Sequence, residues 1–303
     1  MTTVIHHSAD YDGIFCREIA RKFLPDATLI GWDFKDPKVR FPKDGTVYIL
    51  DLSPECLEFP KLDIASGRLV WIDHHKTSIE KYGSTGRNDR IAGYRIDGVA
   101  ACRLAFQWFQ KECHDYPLNA GREGQNQLPT RQDFIDRKVF EPWSVTLAGE
   151  YDIWDKRDPN AELFQHGLRG REMDDDDWKQ ILSITLGNDL VSEILAGGEA
   201  IQYYCRTQDA SIIKHQGFDV DWEGYHFLAL NSARCNSLSF LAGLKPEHDG
   251  CLGFKWTGKG WMVSMYGCPG KPECDFSTIA TKYGGGGHKQ ACGFTCTELP
   301  FKL

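Results

Sequence analysis

The 303-residue chain has no run of about 18 apolar residues, so no segment suits a membrane span. No basic flank leads into an apolar stretch at Met1-Thr2-Thr3-Val4-Ile5, and a secretion signal is not expected. Basic charge is scarce: 35 Lys and Arg stand against 43 Asp and Glu, a net charge of −8. Affinity for long nucleic acid rests on a basic face, so a long duplex or strand is a poor partner and small phosphorylated substrates are favoured. Paired Cys-x-x-Cys spacing is missing, and the eleven scattered cysteines form no small-domain disulfide framework. An odd count with no expected signal fits a reducing cytoplasm. There is no internal repeat and no low-complexity tract.

What is present alternates between strand-like and helix-like segments. Val4 to His6, Thr28 to Trp32, Thr46 to Leu50 and Leu69 to Ile72 read as strands. Between and after them, Asp12 to Leu24 carries Ile14, Phe15, Ile19 and Phe23 at helical spacing, and Gly98 to Gln110 carries Ala100, Ala101, Leu104, Ala105 and Phe109. Such alternation predicts an α/β fold with a mostly parallel sheet flanked by helices. His114 to Arg131 is polar and reads as a surface loop, and helical character resumes over Phe140 to Tyr151. Asp174 to Asp177 precede an apolar turn, where acids favour a helix N-terminus more than a metal.

At this length two domains are expected. One long amphipathic helix, Asp189 to Gln216, would connect them. Strands at Tyr225 to Leu230, Cys251 to Trp256 and Gly260 to Met265, and helices over Ser237 to Leu244 and Asp275 to Tyr283, make a smaller C-terminal α/β domain. The expected division is 1–190, a connector at 191–216, and 217–303, with the active site in the cleft between the domains.

Three strand ends carry metal-ligand chemistry. His6-His7-Ser8-Ala9-Asp10-Tyr11-Asp12 follows the first strand, Asp51 ends the third, and Asp73-His74-His75 ends Arg68-Leu69-Val70-Trp71-Ile72. In open α/β sheets the carboxyl ends of the strands are where ligands bind. Mixed imidazole and carboxylate donors suit manganese, iron, cobalt or zinc. Clustered carboxylates without a cation would raise one another's pKa values, and a pair of ions is the simplest compensation. Singly each residue has a plainer reading, Asp51 as a turn residue above all. Together they predict a site.

His6-x-x-x-Asp10-x-Asp12, then Asp51, then Asp73-His74-His75 resemble the successive motifs of the DHH phosphoesterase family. Gly284-Gly285-Gly286-Gly287-His288, followed by Lys289-Gln290-Ala291-Cys292-Gly293, resembles the Gly-Gly-Gly-His signature of its associated C-terminal domain. The resemblance implies two manganese ions, with iron, cobalt or magnesium as alternatives. His6, Asp10 and Asp51 would hold one; Asp12, Asp51, His74 and Asp152 the second. Asp155 is a rival for Asp152, because Tyr151-Asp152-Ile153-Trp154-Asp155 departs from the family's usual segment. Asp73 would orient an imidazole, and His75 would contact the scissile phosphate. Gly285, Gly286, Gly287 and His288 would bind substrate, the glycine amides forming a concavity for an anion. Arg234 and Lys289 are further candidate phosphate contacts. Tyr266 stands near where many nano-RNase relatives carry an arginine.

The branch resembled holds RecJ-type exonucleases, nano-RNases and related nucleotide phosphatases. It implies a phosphoesterase cleaving short oligoribonucleotides or small nucleotides by a two-metal mechanism. Cyclic (di)nucleotides and a 3′-phosphorylated adenosine phosphate are the alternatives, and a non-catalytic nucleotide-binding regulator is the rival of another class. The partners implied are the nucleotide substrate and, in a homodimer, a second copy, with no membrane. Cys268, Cys274, Cys292 and Cys296 around His288 suggest zinc only weakly, their spacing being wrong for it. Trp154 has two readings, a base-stacking ring or a core residue.

Overall fold

A computed structural model describes residues 2–58, 68–83, 91–112, 128–155, 157–184 and 189–302. The loop expected from His114 onward lies outside these residues as far as position 127. The chain divides into two compact units, Met1–Ala200 and Ile201–Leu303. Among the described residues no helix is long and apolar enough to cross a membrane.

The first unit is built on five parallel strands: β1 (Thr3–His7), β2 (Thr28–Trp32), β4 (Val47–Leu50), β6 (Leu69–Asp73) and β7 (Ala92–Arg95), in the order β2-β1-β4-β6-β7. Two short strands, β3 (Val39–Arg40) and β5 (Leu57–Glu58), pair separately. The chain leaves β1 for β2 on one side and returns to β4 on the other. That reversal opens a crevice at the carboxyl ends of β1 and β4, the position where such sheets take ligands.

Both faces of the sheet are covered, which explains why its strands are apolar on both sides. Val4, Leu50, Val70 and Ile72 pack against Phe15 and Ile19 of α1 (Tyr11–Phe23) and Leu104 and Phe106 of α3 (Ala101–Glu112). Ile5, Ile49 and Trp71, one residue out of phase, pack on the other face with Trp32, Leu52 and Ile91. Between these two helices lies α2 (Lys76–Gly83); after them come α4 (Arg131–Ile135), α5 (Trp143–Asp152), α6 (Asn160–Arg169) and α7 (Asp175–Ile181). Asp174 caps α7 by accepting the N–H groups of Asp176 and Asp177, and the other three acids fill its first turn. The acidic run is therefore a helix start.

Helix α8 (Asp189–Gln216) carries the boundary between the units. The second unit is a six-stranded mixed sheet in the order β12-β13-β11-β10-β9-β8, from β8 (Phe218–Trp222), β9 (Tyr225–Asn231), β10 (Gly250–Trp256), β11 (Trp261–Gly267), β12 (Gly286–His288) and β13 (Ala291–Cys296). Only β9 and β10 run parallel. One face buries Trp222, Phe227, Phe276 and Phe294 with α9 (Ser277–Lys282); the other buries Leu228 and Phe240 against Ile213. The helix expected over Ser237 to Leu244 is only a 3-10 turn, Ser237–Phe240, capped by Asn236. Gly243 and Pro246 follow too closely for it to grow.

The glycine run is not a free loop. Gly286–His288 forms edge strand β12, antiparallel to β13. A Cβ on Gly285 would meet the Gly293 carbonyl oxygen at 2.1 Å, and one on Gly287 would meet the Cys292 Cα at 2.6 Å. Those two glycines are required by a close approach between strands. Gly286 and His288 remain exposed, and a Cβ on Gly286 would meet nothing.

Candidate metal centre

The crevice between β1 and β4 collects carboxylates and imidazoles from five segments. Asp10 is the N-cap of α1, where its Oδ1 accepts the Gly13 N–H at 3.0 Å. Its Oδ2 lies 2.9 Å from Nδ1 of His7, the last residue of β1. The same nitrogen is 3.5 Å from Oδ2 of Asp51, just past β4. Asp51 holds a left-handed backbone, φ 57°, which aspartate tolerates better than most residues but which still signals a constrained position.

Asp12 is buried, and its carboxylate accepts the N–H groups of Ala101 and Cys102 at 2.8 and 2.7 Å. These are the first amides of α3, unsatisfied within any helix, so Asp12 acts as their cap from a distant part of the chain. Such bonds contribute about 0.5–1.5 kcal/mol each to a neutral carboxyl and more to an ionised one. Nε2 of His74 lies 3.6 Å from Oδ2 of Asp12, 3.4 Å from Oδ1 of Asp51 and 3.3 Å from Oδ2 of Asp152, the last residue of α5. Asp73 is fully buried; its Oδ1 accepts the backbone N–H groups of His74 and His75 and lies 2.7 Å from Nδ1 of His75. Asp73 thus orients the His75 ring, which is about half exposed.

Three sets of donor atoms lie within 4.8 Å of one another: His7, Asp10 and Asp51; Asp12, His74 and Asp152; Asp51, His74 and His75. Donors bound to one ion at about 2.1 Å stand roughly 3–3.4 Å apart. The spacings around His7 and His74, 2.9 to 3.6 Å, match that shell. Both ring nitrogens of His7 and both oxygens of Asp51 are buried and lack a well-aligned hydrogen-bond partner among the described residues. Such orphaned polar atoms are costly unless something completes them. A divalent cation fits the donor set, and Asp51, common to two of the sets, faces both positions.

The electrostatics agree. Burial pushes Asp12 well above the usual carboxylate range, and burial with the neighbouring charge of Asp51 pushes Asp152 up to about 7. Contacts with Asp10 and Asp51 raise His7 to about 10. For His74 burial acts downward, but Asp51, Asp12 and Asp152 outweigh it and raise it to about 10. Burial also pushes Asp51 up, yet His7 and His74 hold it below the carboxylate range. Protons accumulate where a dication would sit, and binding one releases them.

His6 does not join the cluster; His7 takes the place expected of it. Successive side chains of a strand leave opposite faces, so the neighbouring histidines cannot serve one point. The His6 ring lies against Gly31 of β2, its Nδ1 bonds the His7 carbonyl, and burial lowers its pKa. Asp155, the rival for Asp152, is engaged by Arg157 at 2.6 Å. Trp154, half exposed, has its ring edge-on to Tyr151.

In the second unit Tyr266 is half-buried, its hydroxyl 3.5 Å from the Cys235 carbonyl, and Arg234 reaches Sγ of Cys205. Among the described residues, Cys268, Cys274, Cys292 and Cys296 do not converge on a metal-ligand group with His288. A different set, Asp219, His226 and His248, does converge. Three of its four ring nitrogens are already engaged, however: Nδ1 of His226 by Asp221, and both nitrogens of His248 by Asp219 and the Lys245 N–H.

No family model and no curated protein matches the chain. Solved structures do. The DHH domain of a protein described as a member of a ribosomal-protein family aligns with a TM-score of 0.53 at 14% identity, covering 96% of this chain and 82% of that one. A pGpG-specific phosphodiesterase from Vibrio cholerae (TM-score 0.44, 12% identity, 98% and 92% covered) and exonuclease RecJ bound to manganese (0.44, 12%, 97% and 85%) are also similar. At these identities the likeness concerns the fold, which is that of DHH-domain proteins.

Proposed function

We propose that this chain is a divalent-metal-dependent hydrolase of phosphoester bonds, acting on short oligoribonucleotides of a few residues or on small nucleotides. The observation that carries the reading is the convergence of donor groups around Asp51 and His74, with the buried ring nitrogens of His7 and both oxygens of Asp51 left orphaned. His7, Asp10 and Asp51 would hold one ion; Asp12, Asp51, His74 and Asp152 would hold a second. Manganese is the preferred ion, with iron, cobalt or magnesium as alternatives. When bound, such ions supply a hydroxide near neutral pH and neutralise charge on phosphoryl oxygens.

The remaining work falls to side chains. Asp73 fixes His75 through Nδ1, leaving the other ring nitrogen to contact a phosphoryl oxygen of the substrate. Asp12, anchored on two amides of α3, cannot swing away as the site fills. In the second unit the exposed Gly286 and His288, with Gly285 and Gly287 shaping the strand, are the proposed contacts for a substrate phosphate or sugar. Short oligoribonucleotides rank first, 3′-phosphorylated adenosine phosphates and cyclic nucleotides next, and inorganic pyrophosphate last. Purified protein, freed of metal and reloaded with manganese, cobalt or magnesium, is to be offered a dinucleotide, a cyclic nucleotide and pyrophosphate. Metal-dependent release of a nucleotide is expected; failure to hydrolyse either nucleotide with any of the ions, including hydrolysis of pyrophosphate alone, overturns the reading.

A further inference from the structure

We infer that Phe34 is a nucleobase-binding platform beside the metal centre, which makes base-bearing substrates the class this site takes; the inference rests on the phosphoesterase reading above. Phe34 follows β2 and is the second most exposed large apolar side chain among those described, at 71%. A single exposed apolar residue on a surface is ordinary. Two things set this one apart.

The first is its position. The ring of Phe34 stands edge-on to the ring of His7, centroids 5.7 Å apart, and His7 is a member of the donor cluster. A phosphate bound through a cation held by His7, Asp10 and Asp51 would therefore place its attached nucleoside within reach of Phe34.

The second is that the ring is held rather than loose. Trp32 meets it edge-on at 5.6 Å, and the indole N–H of Trp32 donates to the Pro37 carbonyl at 3.0 Å, closing the loop on both sides of Phe34. Within the loop, Asp33 and Asp36 are tied by two hydrogen bonds, 2.9 Å from the Asp33 N–H to the Asp36 carboxylate and 2.8 Å from the Asp36 N–H to the Asp33 carbonyl. The Phe34 N–H donates to the Asp33 carboxylate at 2.7 Å. An aromatic ring fixed in this way loses little freedom on stacking, and every base offers a π-face regardless of its identity. The platform would thus select for a base without selecting which base. It would disfavour pyrophosphate and polyphosphate, which have nothing to stack.

The test compares wild type with Phe34→Ala, Phe34→Tyr and Phe34→Trp on a dinucleotide and on its counterpart with an abasic position. Phe34→Ala is expected to raise the ratio of KM values, base-bearing over abasic, by about 5- to 150-fold. Tyr and Trp at the position should restore the wild-type ratio. An unchanged ratio in Phe34→Ala overturns the platform and leaves the phosphoesterase reading standing. Should wild type cleave no phosphoester, that reading fails, and binding alone decides the platform. Fluorescence of a dinucleotide carrying 2-aminopurine is then expected to be quenched by wild type and not by Phe34→Ala. Equal quenching by both, or none by either, overturns it.

Discussion

Oδ1 of Asp73 lies 2.7 Å from Nδ1 of His75 while the same oxygen takes the backbone N–H groups of His74 and His75 at 2.8 and 3.2 Å. One buried oxygen therefore sets both the backbone turn after β6 and the ring that faces the crevice. The contact with Asp73 also raises the pKa of His75. Asp73→Asn keeps the shape but gives up the charge. We expect a loss in kcat/KM of about 10- to 100-fold, with the alkaline limb of the pH–rate profile moved to lower pH. A profile that falls without moving would mean that the charge on Asp73 does not act through His75.

Gly13 is the tightest point of the turn after β1. A Cβ there would meet the His7 carbonyl oxygen at 2.1 Å and the His7 Cβ at 2.6 Å. Gly13→Ala must therefore displace His7 or α1, at a cost of about 1–3 kcal/mol and with weakened metal binding. Gly31→Ala is the milder comparison, because its nearest neighbour would be a side-chain carbon at 3.1 Å. Urea denaturation of both variants, alongside metal titration, checks the ranking.

The adjacent histidines separate by mutation. His7→Ala is expected to lower metal affinity by more than about tenfold, and His6→Ala to leave it near wild type while costing some stability through lost packing. Asp152→Asn and Asp155→Asn should divide in the same way, since only Asp152 faces His74. Calorimetric titration with manganese reads all four.

The metal-free protein should lose stability as pH rises. Asp12 and Asp152 are raised, Asp152 to about 7, and His7 and His74 are raised to about 10, so all four hold protons more tightly folded than unfolded. Their contribution is complete below the unfolded values, about 3.8 for the carboxyls and 6.5 for the imidazoles, and fades as pH climbs through the folded ones. Asp51, lowered, runs the other way and loses its contribution only in acid. Manganese at about 100 times its dissociation constant would add about 2.7 kcal/mol, roughly 5–11 °C in melting temperature; at one fixed concentration it would add more at pH 8.5 than at pH 6, because fewer protons need displacing. Melting curves with chelator and with manganese across that range test the trend; a metal-free protein that gains stability on going alkaline would contradict it.

Much of this was legible in the residues because parallel strands and strand-end chemistry leave strong local marks. The apolar runs of β1, β4 and β6 and the acids and imidazoles at their ends mark the crevice without any long-range information. The choice between His6 and His7 was not legible in the same way. It depends on which face of β1 meets the opening, and a one-residue shift in strand phase reverses that answer. Strands β7, β8 and β13 leave fainter marks in the sequence for a related reason: they are short or half-exposed, and their apolar patterning is weak. The glycine run resembles an anion-binding loop, and the register of β12 on β13 adds a requirement the residues alone do not reveal, a close strand pairing at Gly285 and Gly287.

Asp12, a residue of α1, belongs to the cluster and also caps the first turn of α3. A lineage of this protein freed from selection for catalysis could discard His7 or Asp152 more cheaply, since neither side chain caps a helix as Asp10 and Asp12 do. Losing Asp12 would strip two buried amides of their carboxylate cap and unsettle the helix they begin. An inactive descendant is therefore expected to keep that aspartate long after its chemistry has gone, so its presence is a poor witness to activity and the state of His7 and Asp152 a better one.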